Sequence, residues 1–73
     1  MKFSFKPLWK LLIDKEITNK ELMERAKISK STFYKLKNDK NVTTDVLLRI
    51  CTELDCDISN IIECIKDNRS KKE

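Results

Sequence analysis

Two helix starts stand close together in the stretch from Thr18 to Asn38, TNKELMERAKISKSTFYKLKN, and that closeness limits what the chain can fold into. Thr18 and Glu21 have the spacing of a capping box, in which a hydroxyl and a carboxylate each satisfy an orphan amide of the first helical turn. Ile17 before the cap and Leu22 after it are placed as a hydrophobic staple. Ile28, Ser29 and Phe33 repeat the arrangement, so a second helix begins at Ser29. Only about two turns of helix fit between the starts, which forces two short helices to meet at a sharp corner.

With 73 residues the chain is one domain, small enough to bury roughly 60% of its unfolded surface. A hydrophobic share of 40% beside 38% charged residues gives a core under a heavily solvated skin. Sixteen Lys and Arg against twelve Asp and Glu leave +4, a mild bias towards a polyanionic partner. No apolar run is long enough to span a membrane, and MKFSFKPLWKLLIDK is charged throughout where a signal peptide needs an unbroken apolar stretch. The expected location is therefore the cytoplasm. Three cysteines without a CxxC pair fit a reducing compartment.

Along the chain, Phe3 and Phe5 alternate with Ser4, which predicts a short extended arm over residues 1–6 with both rings on one side. Pro7 suits a first helical turn, and Leu8, Leu11 and Leu12 then recur on one face to about Lys15. Trp9 and Ile13 form a second stripe, expected to be core, a seat for the two phenylalanines, or a homodimer surface. Helix two, Asn19 to Ala26, turns Leu22 and Ala26 inward, and helix three, Lys30 to about Lys37, does so with Phe33 and Leu36. Between them Lys27 occupies a corner that favours positive φ in a chain with no glycine, so it is expected in the left-handed conformation.

NDKNV breaks the pattern as a loop. Val42 and Thr43 then open a fourth helix carrying Leu47, Ile50, Cys51 and Leu54 at helical spacing. Cys56, Asp57 and Ile61 supply a further cap and staple, which predicts a fifth helix with Ile58, Ile61, Ile62 and Ile65 on its buried face. The domain proper is thus expected over residues 7–66, its two-helix motif at about 18–38, with a polar tail over 67–73 that frays.

The charge is not evenly spread. Lys27, Lys30, Lys35, Lys37 and Lys40 face a single acid, Asp39, so positive charge gathers on the second helix of the pair and its loop. That helix also carries Ser31, Thr32 and Tyr34. Lysines suit phosphates and guanine edges, hydroxyls either, and an aromatic ring a thymine methyl. A solvated charged face is the plainer reading of a lysine run, but the placement on this helix favours double-stranded DNA as partner.

Catalytic and metal chemistry find no footing. Histidine is absent, which removes the commonest general base and metal ligand. Cys51, Cys56 and Cys64 lack the close pairs of a structural zinc site. The first two fall on core positions as small hydrophobes, and Cys64 falls off the isoleucine face, the one thiol expected to be open to modification. No nucleophile has a base, so neither an enzyme nor a cofactor is expected.

At this point the residues resemble a family. TNKELMERAKISKSTFYKLKN is similar to the helix-turn-helix of Cro/C1-type (XRE-like) DNA-binding domains, with Leu22, Ala26, Ile28, Phe33 and Leu36 apolar where that motif needs them. The likeness runs on through VTTDVLLRICTELDCDISNII and begins at KPLWKLLIDKEIT, a segment similar to the start of small stand-alone bacterial and phage regulators. It implies an all-α, compact five-helix, lambda-repressor-like domain with a short extended N-terminal arm. By position it implies that Asn19 grips a phosphate, and that Ser29, Lys30, Ser31 and Lys35 read bases and hold phosphates, with Tyr34 and Asn38 beside them; Lys40 joins the expected DNA-binding set from the charge of its loop. Lys27 replaces the usual turn glycine and Met23 a common alanine.

The expected function is a sequence-specific, repressor-like transcriptional regulator whose third helix enters the major groove, a homodimer through Trp9, Ile13 or the arm. The rival reading is a protein-interaction module on the same fold, antitoxin-like or anti-repressor, using the Trp9 and Ile13 stripe. A single-strand or RNA binder fits less well, because such proteins display several stacking aromatics and here Tyr34 stands alone.

Overall fold

Side-chain caps open three of the four α-helices where the spacing places them. The computed structural model describes residues 1–66, and the polar tail over 67–73 lies outside the described residues. A strand β1 (Lys2–Ser4) leads into α1 (Lys6–Lys15), α2 (Asn19–Ala26), α3 (Lys30–Lys37) and α4 (Thr44–Leu54). A single 3-10 turn (Ile58–Asn60) and a strand β2 (Glu63–Ile65) follow. At α2, Thr18 Oγ1 accepts from the Glu21 amide at 3.1 Å and Glu21 Oε1 from the Thr18 amide at 2.9 Å, a complete capping box. The Thr18 amide holds the Glu21 carboxyl below its ordinary pKa. Ser29 caps α3 by accepting from the Thr32 amide at 3.2 Å, and Thr43 caps α4 by accepting from Val46 at 3.3 Å.

Every α-helix ends the same way, and none of them with glycine. Glu16, Lys27, Asp39 and Asp55 adopt φ of 57°, 55°, 55° and 51° just past the four helices. The next amide then closes back five residues: Ile17 to the Leu12 carbonyl at 2.9 Å, Ile28 to Met23 at 2.9 Å, Lys40 to Lys35 at 2.8 Å, Cys56 to Cys51 at 3.0 Å. This is the Schellman arrangement, which satisfies orphan carbonyls and brings the two side chains of each pair together. The left-handed conformation expected of Lys27 is present. A non-glycine residue there costs on the order of 1 kcal/mol, partly offset because glycine widens the unfolded ensemble. Lys27→Gly should therefore raise the melting temperature by about 2–5 °C in a circular dichroism melt. A clear drop would contradict the conformation seen at the corner.

The fifth helix is not formed. Asp57 does cap a turn, with Asn60 Oδ1 accepting from the Asp57 amide at 2.9 Å, but the turn stops after Asn60. Glu63–Ile65 then pairs antiparallel with Lys2–Ser4, matching Lys2 with Ile65, Phe3 with Cys64 and Ser4 with Glu63. Among the described residues the domain is mostly helical, with four α-helices and a two-stranded sheet, rather than all-α with five. Isoleucines and a cysteine suit a strand as well as a helix, and the partner strand from the other end of the chain decides between them.

The arm is extended as expected, but its two rings part company. The strand ends at Ser4, so Phe5 turns into the core at 2% exposure while Phe3 stays on the sheet at 54%. The core gathers Phe5, Leu8, Leu12, Leu22, Ala26, Ile28, Leu36, Val46, Ile50, Leu54 and Ile61. On α4, Val46 takes the buried place expected of Leu47, which is half-buried with Cys51. Among the described residues no helix is long and apolar enough to cross a membrane.

Candidate nucleic-acid interface

The helix-turn-helix pair is held from below, which leaves the outer side of α3 free. Leu22 and Ala26 of α2 and Leu36 of α3 are buried, with Ile28 between them. α2 packs on α4. From α4, Arg49 Nη1 donates to the Lys27 carbonyl at 3.3 Å and so ties the glycine-free corner to the core side of the fold. Asp45 Oδ2 lies 3.4 Å from Arg49 Nε, one turn before it. The sequence reading missed Arg49. Its signal was the i,i+4 spacing of Asp45 and Arg49 on a helix facing the motif.

On α1, the ring of Trp9 meets Phe33 of α3 edge to face, with centroids 5.6 Å apart and planes at 73°. Lys37 Nζ lies 5.3 Å from the Trp9 ring centroid, a cation–π contact. Trp9 is therefore a brace between α1 and α3, packed against the core as one of the expected readings has it, whereas Ile13 of the same stripe is 75% exposed. Lys37 is thereby drawn to the α1 side. Asp39, the single acid of the basic segment, accepts from the Phe5 amide through Oδ1 at 2.9 Å and is likewise committed to the fold.

The residues expected to meet DNA lie at the surface. Asn19, Ser29, Lys30, Ser31, Tyr34, Lys35, Asn38 and Lys40 are all exposed. Ser29 and Ser31 hydroxyls lie 3.3 Å apart at the first turn of α3, beside Lys30. Ser29 is spoken for as the cap, so Lys30 and Ser31 carry the free surface of that turn. Tyr34, 65% exposed, and Lys35 follow one turn on. Asn38 Nδ2 donates to the Tyr34 carbonyl at 2.8 Å, which leaves Oδ1 and the second amide N–H of the side chain open. Asn19 stands apart at the start of α2 and shares no hydrogen bond with the α3 group among the described residues.

The helix endings add a feature that spacing did not show. At α1, α2 and α4 the side chains brought together by the closing bond are uncharged: Leu12 with Ile17, Met23 with Ile28, Cys51 with Cys56. At α3 they are Lys35 and Lys40, whose backbones are joined at 2.8 Å. Two exposed lysines thus start from adjoining backbone at one helix end, where an anion would meet both. A shallow groove beside them is lined by Thr32, Lys35, Asn41, Val42, Thr43 and Val46. Asn41, exposed on this rim, was also missed by the sequence reading. Among the described residues no three His, Cys, Asp or Glu side chains gather where they would hold a metal ion.

Residues 7–67 match the model of the Cro/C1-type helix-turn-helix DNA-binding domain. The chain belongs to that family. A solved structure is similar as well, the crystal structure of the transcriptional regulator VanUg in its form II, at 47% sequence identity and a TM-score of 0.87. The likeness covers 90% of this chain and 88% of that one. No protein of curated function matches. In a Cro/C1-type domain the helix-turn-helix is the DNA-binding element, and here it is the element whose outer face is basic, exposed and free of core duties.

Proposed function

We propose that the chain is a sequence-specific, repressor-like transcriptional regulator that binds double-stranded DNA with α3 in the major groove and α2 bridging to the backbone. The observation that carries this reading is the outward group Lys30, Ser31, Tyr34 and Lys35 on α3, extended by the Lys35 and Lys40 pair at its end. The first turn of α3 supplies positive dipole and amides to a phosphate. Lys35 and Lys40 form a two-cation clamp for the next phosphate along. Asn19, at the start of α2, reaches the backbone from the other side, and Ser29 and Asn38 fix the two ends of the reading helix. The regulator VanUg, similar over most of its length, agrees with this role.

The reading is tested by in vitro selection of bound duplexes from a random pool. An enriched site is the expected result, and an inverted repeat with half-sites about one helical turn apart would add a two-fold symmetric dimer. No enrichment at any salt concentration would remove the proposal in favour of a protein-interaction module. That rival has lost part of its surface, since Trp9 is engaged by Phe33 and Lys37. A dimer would use Ile13 or the sheet around Phe3, both exposed.

Base reading and backbone gripping separate in mutants. Ser31→Ala and Tyr34→Ala are each expected to weaken the selected site by on the order of tenfold and leave random-sequence affinity nearly unchanged. Equal loss on every sequence, measured by fluorescence anisotropy, would reassign both residues to backbone contact.

A further inference from the structure

The cysteines that the sequence assigns to the core meet at the end of α4 in a way the fold makes specific. Asp55 adopts φ 51°, its amide closes to the Thr52 carbonyl at 3.3 Å, and the Cys56 amide closes to the Cys51 carbonyl at 3.0 Å. In such an ending the two residues joined by the longer bond hold their side chains against each other, and at α1 and α2 those residues are ordinary apolar pairs. At α4 both are free thiols, each half-buried. Burial pushes the Cys51 thiol up, and the neighbouring Cys56 thiol adds to the shift. The pair lines an open groove together with Leu47, Leu48 and Ile58. Cys64, exposed on β2, belongs to another part of the surface.

The geometry points to Cys51 and Cys56 as a dithiol that closes into an intramolecular disulfide across the end of α4 when the protein meets a disulfide oxidant. Backbones joined by a 3.0 Å bond across a single left-handed residue bring the two Cα atoms near the separation a disulfide bridges. With glutathione disulfide the electrons balance in two exchanges. One protein thiolate attacks the oxidant and expels a glutathione thiolate. The second protein thiolate attacks the mixed disulfide and expels the other, so two protein thiols are oxidised as one glutathione disulfide is reduced. The raised Cys51 pKa makes the closure slow at neutral pH and faster as pH rises. The closed form pins Asp55 and the last turn of α4, the helix that carries Arg49 to the reading corner. Oxidation should therefore stiffen the scaffold and leave the outward face of α3 unblocked.

The test is to treat the folded chain with glutathione disulfide, block the remaining thiols with iodoacetamide, and read the masses before and after cleavage at glutamate. Cleavage after Glu53 separates the two cysteines, so a linked pair of peptides holding Cys51 and Cys56, about 2 Da lighter than their sum, is the expected product. Cys56→Ser should abolish the link, and the oxidised wild-type chain should melt roughly 5–15 °C higher than the reduced one. Glutathione left standing on Cys51 or Cys56 without closure, or a link made only through Cys64, would overturn the inference. So would closure that lowers the melting temperature, because the helix end would then have to open to form it.

Discussion

Replacing Lys30 and Lys35 together with alanine is expected to weaken duplex DNA binding about 60-fold at 0.1 M salt and to flatten the salt dependence by about two units of slope. Each ammonium that neutralises a phosphate releases close to one counterion, and at that salt concentration each release favours binding by roughly eightfold. Lys30 stands in the first turn of α3, where the free amides and helix dipole already favour an anion. Lys35 is joined through its carbonyl to the Lys40 amide, so its loss also breaks up the two-cation clamp at the far end of the helix. Stability should change little, because Lys30 and Lys35 are exposed and take no part in the core. Lys37→Ala supplies the contrast. That ammonium lies over Trp9, 5.3 Å from the ring centroid, so its removal should leave the salt slope nearly unchanged and slightly loosen the contact between α1 and α3. A slope and affinity unmoved by Lys30→Ala/Lys35→Ala, or a larger effect from Lys37→Ala, would place the DNA on another face.

The difference between these lysines shows which parts of the site a sequence carries. Helix starts were legible because a cap is written in adjacent residues: Thr18 with Glu21, Ser29 before the α3 run, Thr43 before the α4 run, Asp57 before its turn. Helix ends were legible only at Lys27, where a corner was already required. Glu16, Asp39 and Asp55 take the same conformation without a glycine to announce it. Ile17, Ile28 and Cys56 were read as staples for the helix that follows. In the structure they also close the helix that precedes, which is why uncharged residues five apart recur at the ends of α1, α2 and α4. Contacts between distant segments could not be read. Nothing local pairs Phe3 with Cys64, sets Trp9 beneath Lys37, or sends the Asp39 carboxylate to the Phe5 amide. The expected reading face thus came from the charge and hydroxyls of one helix and from position in the family motif, whereas the commitment of Lys37 and Asp39 of the basic segment to the fold came from tertiary structure.

Ile61→Ala should be among the most destabilising single changes, and it separates the observed chain end from the helix that spacing suggested. In a fifth helix Ile58, Ile61, Ile62 and Ile65 would share one buried face, and truncating any of them would cost comparable amounts. In the structure the turn ends after Asn60; Ile61 is fully buried, whereas Ile58 is 43% exposed. The turn packs against both α1 and α4, so Ile61 fills space that no neighbour can collapse into without moving a helix. Removing a buried isoleucine to alanine costs about 2–5 kcal/mol, from a total of roughly 4–11 kcal/mol for a chain of this length. The melting temperature of Ile61→Ala should fall by roughly 10–25 °C, while Ile58→Ala moves it by no more than a few degrees. Equal losses from the two variants would restore the helix. An unequal pair would mean that one well-capped turn, placed between α1 and α4 and held by a strand from the opposite end of the chain, is enough to close the core that supports the reading helix.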